Sequence, residues 1–227
     1  YIEIAYAGTD RLYLPASNLD QLQKYIGNEG DVPRIHKMGG SDWRKAVTKA
    51  QKSIDDLADK LVELYAKREI TEGFAFLPDQ PWQQEFEDAF PYEETEDQLQ
   101  ATREIKESME RPTPMDRLLA GDVGFGKTEV AMRAIFKAVV SGKQVAVLVP
   151  TTVLAQQHYQ TFLNRFNPFG VKVDVLNRFR STAEKKAVLK GVENGSIDIL
   201  IGTHSLLNKK VKFKDLGFLV VDEEQRF

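Results

Sequence analysis

Residues Gly121 to Thr128 read GDVGFGKT and fit the pattern G-x-x-x-x-G-K-[ST]. Such a loop works only between a strand and a helix, so it constrains the fold on both sides. Arg117-Leu-Leu-Ala120 reads as a short buried strand, and 129–140 (EVAMRAIFKAVV) reads as an amphipathic helix with Gly142 as its stop signal. In that setting the backbone of Gly121, Asp122, Val123, Gly124, Phe125 and Gly126 can wrap with its N–H groups facing an anion. Lys127 can then reach the β/γ oxygens of a nucleotide, and the Thr128 hydroxyl can hold Mg²⁺. The phosphates would sit at a helix N-terminus, where free N–H groups and the macrodipole favour negative charge. A second element matches the first. Phe218-Leu-Val-Val221 is fully apolar, as expected of a parallel strand buried on both faces, and Asp222 and Glu223 follow at its carboxyl end. That is the edge where open α/β sheets bind ligands. Asp222 is expected in the magnesium shell, and Glu223 is expected to orient or deprotonate an attacking water. The cofactors implied are ATP and Mg²⁺.

The rest of the composition narrows the class. With no cysteine, neither disulfides nor cysteine metal sites are available. His36, His158 and His204 show no ligand spacing and read as surface or core histidines. No apolar run approaches the roughly 20 residues that span a bilayer, and no signal peptide opens the chain. The net charge of −3 conceals a polarity along the sequence. Residues 69–110 hold 13 Asp/Glu against 2 Lys/Arg, whereas 168–214 hold 10 Lys/Arg against 4 Asp/Glu. The basic stretch suits a polyphosphate backbone, and an ordinary solvated face fits it equally well.

Along the chain, Ile2, Ile4 and Tyr6 alternate, break at Ala7-Gly8-Thr9-Asp10, and resume at Leu12 and Leu14, which predicts a β-hairpin ended by Pro15. A short helix is expected over 18–26 and a loop over 27–40. A long helix is expected from Ser41 to about Glu69, with an apolar seam of Trp43, Val47, Ala50, Ile54, Leu57, Leu61 and Leu64. Spacing by four and three gives the narrow 3.5 period of a coiled-coil stripe, fit either for docking along a neighbouring surface or for a homodimer seam. Residues 70–91 are rich in Gly, Pro and aromatics. From about Glu93, strand-like runs at 118–120, 145–149, 171–176, 197–201 and 218–221 alternate with helical stretches at 128–140, 152–166 and 182–193. Alternation of this kind predicts an α/β fold, a parallel sheet with helices on both faces. The chain starts as if in mid-strand and stops five residues after Asp222, so it is expected to be a piece of something longer.

At this point five segments carry a resemblance. GDVGFGKT (121–128), PTTVLAQQH (150–158), RFRS (178–181), IGTHSLL (201–207) and DEEQRF (222–227) stand in the order and spacing of helicase motifs I, Ia, Ib/Ic and II. The chain resembles the first RecA-like domain of superfamily 2 double-stranded-DNA translocases, which include the RecG helicases and the bacterial transcription-repair coupling factors. The upstream run YAGTDRLYLPASNLDQLQKYIG, HKMGGSDW (36–43) and the long helix resemble the coupling-factor family and have no counterpart in RecG. The resemblance implies three parts: a partial β module that interacts with RNA polymerase (1–35), a long connecting helix and linker (36–92), and a RecA-like, P-loop ATP-binding domain (93–227) truncated after motif II.

Residue roles follow from the same resemblance. Lys127 and Glu223 are the implied catalytic pair, with Thr128 and Asp222 on the metal. Gln98, in FPYEETEDQ (90–98), is similar to the glutamine that hydrogen-bonds adenine, and Phe90 or Tyr92 could stack on the base. An ordinary helix start at Thr95 accounts for Gln98 as well. Thr151, Thr152, Arg178, Arg180, Thr203 and His204 are the implied contacts to the DNA backbone, sequence-independent and salt-sensitive, with a domain–domain cleft as the alternative reach of Arg178 and Arg180. For Thr151 and Thr152, a simple helix cap fits equally. The implied partners are double-stranded DNA, the RNA polymerase β subunit docked on the hairpin edge, and excision-repair proteins reached through other domains, in the bacterial cytoplasm with no membrane role. The parent is expected to displace stalled RNA polymerase. With one lobe and no arginine finger from a second, the piece alone is expected to show negligible ATPase. A RecG-type fork helicase and a polymerase-docking scaffold remain the alternatives. A P-loop GTPase is disfavoured by DEEQ and by the lack of an N-K-x-D element.

Overall fold

The computed structural model describes residues 1–23 and 35–226, which fall into two units, Tyr1–Lys67 and Arg68–Phe227. In the first, β1 (Ile2–Ala5) and β2 (Arg11–Leu14) pair antiparallel with Ile2 opposite Leu14 and Ile4 opposite Leu12, the expected hairpin. Gly8 supplies the left-handed turn residue (φ 88°). A cross-strand ion pair, Arg11 Nε to Glu3 Oε1 at 2.9 Å, braces it. The helix expected over 18–26 is instead a 3₁₀ turn at Ala16–Gln21, directly after Pro15. Asn18 inside it is off-helical and Leu22 is extended, so no regular α turn forms. Residues 24–34, which include the rest of that expected helix and much of the expected loop, lie outside the described residues. The long helix α1 spans Ser41–Ile70, and none of its residues is buried. Its i,i+4 pair Glu63–Lys67 closes at 2.6 Å.

In the second unit the elements are α2 (Pro81–Asp88), α3 (Glu96–Met109), α4 (Lys127–Val140), β3 (Gln144–Leu148), α5 (Thr152–Phe166), β4 (Val173–Leu176), α6 (Thr182–Asn194), β5 (Ile199–Gly202) and β6 (Leu216–Val221). The four strands form one parallel sheet in the order β4-β5-β3-β6. Strand alternation divides its faces. Val145, Val147, Val175, Ile199 and Ile201 join the helix-covered core of α2 to α5, whereas Ala146, Leu148, Leu176 and Leu200 pack with Val188 and Val192 of α6. This is the predicted α/β, RecA-like layering with helices on both faces.

Two strand expectations are corrected. Residues 118–120 form no strand: Leu118 is 76% exposed, because no described strand lies where a ladder partner would be. β6 is not buried on both faces; it is the sheet edge, and Leu216, Leu219 and Val221 are exposed while Phe218 and Val220 pack inward. The helix after the glycine loop also departs from a simple amphipathic pattern. α4 buries most of its middle, including the charged Arg133 and Lys137. The Pro- and aromatic-rich stretch 70–91 contributes α2, whose Phe86 is fully buried and stacks on Phe136 with centroids 4.3 Å apart. Burial of a phenyl ring contributes about 1.5–3 kcal/mol, and such a pair adds about 0.5–1.5 kcal/mol.

Buried charges are matched across these elements. Arg133 reaches Glu94 at 2.7 Å and Glu129 at 3.2 Å, and Glu129 also accepts from Arg165 of α5 at 2.9 Å. Lys137 meets Asp79 and Glu110, each at 2.7 Å, and Asp79 also holds Lys106 of α3 at 2.7 Å. Two arginines and two lysines thus tie the segment before α2, together with α3 and α5, to α4, the helix that follows the glycine loop.

Candidate nucleotide-binding site

Gly124 and Gly126 both take left-handed φ (87° and 74°), which a side chain would strain, and Gly126 is the N-cap of α4. The loop is open: Val123 is 94% exposed. Among the described residues, no acceptor meets the N–H groups of Gly126, Lys127 and Thr128, the orphan donors of a helix start. Lys127 Nζ folds back to the carbonyls of Gly121 (2.6 Å) and Asp122 (2.8 Å). Free donors at a helix start with a lysine ammonium beside them are the set that a polyphosphate needs.

Asp222 ends β6, its N–H still in the ladder to Leu148 O at 2.9 Å. Its Oδ2 accepts from His158 Nε2 at 2.6 Å and its Oδ1 accepts from the Glu223 N–H at 3.1 Å. The His158 hydrogen bond holds the Asp222 carboxyl below the usual carboxylate range; burial pushes it up, and the His158 ring, the Glu223 N–H and the Lys127 charge pull it down. Glu223 has φ 55°, an uncommon left-handed value for a non-glycine residue, and Gln225 donates to its Oε2 at 2.7 Å. Among the described residues no cluster of three or more His, Cys, Asp or Glu could hold a metal ion. Magnesium carried by a nucleotide needs only one or two carboxylates besides phosphate and water, so Asp222 with the Thr128 hydroxyl suits it.

Gln98 lies beside the loop. It completes a capping box with Thr95 (Thr95 N to Gln98 Oε1 at 3.0 Å, Gln98 N to Thr95 Oγ1 at 3.3 Å), and its Nε2 donates to Phe125 O at 3.0 Å. Helix cap and loop contact therefore coexist in one residue. Of the two aromatics, Phe90 is half-buried beneath Arg133, whereas Tyr92 is 72% exposed with its ring edge on Phe90.

The expected DNA contacts separate. The Thr151 hydroxyl caps α5, accepting from Leu154 N at 3.2 Å, and Thr152 opens that helix half-buried. Arg178 is exposed above the Phe179 ring. Arg180 is tied to Asp174 at 2.7 Å and to Glu184 at 3.4 Å. Thr203 is buried and His204 exposed.

By sequence alone His158 is only a core or surface histidine. The buried stripe Ala155, His158, Phe162, Phe166 on α5 was the signal that it turns inward and needs a polar partner.

The glycine loop before α4 and the acids after β6 form a P-loop arrangement, and comparison with known proteins agrees. The DEAD/DEAH box helicase model matches residues 95–227, more than half of the chain, which belongs to that family. Over its whole length the chain is 56% identical to the transcription-repair-coupling factor of Bacillus subtilis and 53% identical to that of Staphylococcus haemolyticus, spanning 19% of each. A solved structure of RecG bound to a three-way DNA junction superposes with a TM-score of 0.68 at 39% identity, covering 73% of this chain and 23% of that one. The resemblance read from the motifs is borne out. Among the described residues no helix is long and apolar enough to cross a membrane.

Proposed function

We propose that this chain is the first lobe, with its upstream connector, of an ATP-driven double-stranded-DNA translocase that displaces stalled RNA polymerase and couples transcription to excision repair. The observation that carries the reading is an open glycine loop with free N–H groups at the start of α4, together with the Asp222 carboxylate just beyond the carboxyl end of β6 in the parallel sheet. Residues 121–128 would hold the triphosphate, Thr128 and Asp222 the magnesium, and Gln98 with Tyr92 the adenine. When bound, Mg–ATP supplies the phosphoryl group whose cleavage drives the motor. Lys127 leaves the loop carbonyls to neutralise phosphate charge, and Glu223 orients the attacking water or takes its proton. Thr151, Thr152, Arg178 and His204 would follow the DNA backbone, whereas Thr203 is buried and Arg180 is held in ion pairs, so both would brace the scaffold. The hairpin β1–β2 offers an open strand edge for the polymerase β subunit. Homology to transcription-repair-coupling factors and the fold shared with a DNA-bound RecG support this reading.

One observation favours a second reading for the isolated chain. The Lys127 amine and both amide atoms of Gln98 are engaged inside the protein, as in a polymerase-docking scaffold with a dormant site. Titration of a fluorescent ATP analogue with magnesium distinguishes the two: wild type binds and Lys127→Ala binds at least tenfold more weakly under the motor reading. Equal affinities, with capture of the polymerase β subunit intact, would establish the scaffold.

A further inference from the structure

We infer that His158 is a positioning residue for Asp222, joining the helix that begins at the proposed DNA contacts to the acid of the proposed magnesium site. The inference rests on the ATP-site reading above. His158 is 9% exposed and faces the sheet from α5, between Ala155 and Phe162. An ionised carboxylate only accepts hydrogen bonds, so the 2.6 Å contact requires the proton on Nε2. With Oδ2 held by the ring and Oδ1 by the Glu223 N–H, the Asp222 carboxylate cannot turn about its Cβ–Cγ bond without breaking one of them. Each oxygen keeps a second lone pair for a metal or its water.

The same helix is fixed at three further points. The Thr151 hydroxyl caps its first turn, Gln156 accepts from Asn177 at the end of β4 at 3.1 Å, and Arg165 near its last turn bonds Glu129 of α4. His158 stands seven residues after Thr151, about 10 Å along the axis. A shift of the α5 N-terminus is therefore delivered to the Asp222 carboxylate as a change in one hydrogen bond, while Arg165 carries it to the helix behind the glycine loop. A packing histidine would have no need to point its N–H at this acid, and His158 contacts Phe162 only by a ring edge with centroids 5.9 Å apart.

The test measures the affinity of the chain for a fluorescent ATP analogue in magnesium and in EDTA. Variants are His158→Leu, His158→Gln, whose amide nitrogen can stand at the Nε2 position, and Phe162→Leu as a packing control. Loss of an orienting partner commonly costs 10- to 100-fold in metal affinity. His158→Leu should therefore lose about tenfold or more of the magnesium-dependent gain while binding in EDTA stays at the wild-type value. His158→Gln should restore most of it, and Phe162→Leu should leave the gain unchanged. Independently of any nucleotide, the His158 Nε2–H proton should give a slowly exchanging, downfield NMR signal that Asp222→Asn shifts upfield. If wild type binds with magnesium dependence and His158→Leu matches it, or if Phe162→Leu loses the gain equally, the positioning role is wrong. If wild type shows no magnesium-dependent binding at all, the ATP-site reading itself fails.

Discussion

Gln98 Nε2 donates to the Phe125 carbonyl at 3.0 Å, so the side chain that caps α3 also pins the tip of the glycine loop. A methyl group built at Gly126 would come within 2.4 Å of the same nitrogen. Gly126→Ala therefore has two faults, a left-handed φ worth about 1–2 kcal/mol and a collision with Gln98. Nucleotide titration should show weaker binding for Gly126→Ala and, through the proposed adenine contact, for Gln98→Ala, and the double variant should lose less than the sum of the two because the clash is gone. If the two effects simply add, Gln98 and Gly126 do not communicate.

Arg133 is 2% exposed and serves Glu94 and Glu129. Arg133→Met should destabilise the lobe by about 3 kcal/mol, the lower end for a broken buried pair, because Glu129 keeps Arg165 and Glu94 is partly solvated. Urea unfolding measures this. A loss below about 1 kcal/mol would mean that the pair behaves like a surface contact.

Acid should act through Asp79. Burial raises its carboxyl, but the hydrogen bonds and charges of Lys106 and Lys137 outweigh burial and leave it below the usual range. A folded-state value below the unfolded one means that the contribution is complete above the unfolded value, about 4, and fades as pH falls through the lower folded one. The gap in Tm between wild type and Asp79→Asn should be open at pH 7 and should close below about pH 4. A gap that stays constant into acid would assign the stabilisation to packing.

The two arginines of RFRS should differ on DNA. Arg178→Ala should weaken duplex binding for all sequences and reduce the slope of log K against log salt by about 0.9. Arg180→Ala should lower stability instead, since its guanidinium is taken by Asp174 and Glu184. Filter binding across salt concentrations, with thermal melts, separates these outcomes.

The sequence made the local elements readable and left the long-range pairings hidden. Period and caps placed α5 at 152–166 as observed, and α4 and α6 within a residue or two, because these signals lie within one or two turns. The hairpin followed from alternation around Gly8. By contrast, whether 118–120 becomes a strand depends on a neighbour far away in the chain, and the apolar run 218–221 is silent about being an edge. The same limit hid the Asp222–His158 bond, whose partners are 64 residues apart. The amphipathic pattern of α4 gave no sign that Arg133 and Lys137 are buried, because apart from the i−4 partner Glu129 their acids come from 79, 94 and 110, beyond the reach of any helical period.

Among the described residues, no strand pairs with the outer flank of β6, beside exposed Leu219 and Val221. Such a flank is a template for any extended strand that approaches it, including β6 of another copy. Crowding the isolated piece at high concentration should therefore drive it into strand-joined aggregates, and a lysine at Leu219 should keep it dispersed.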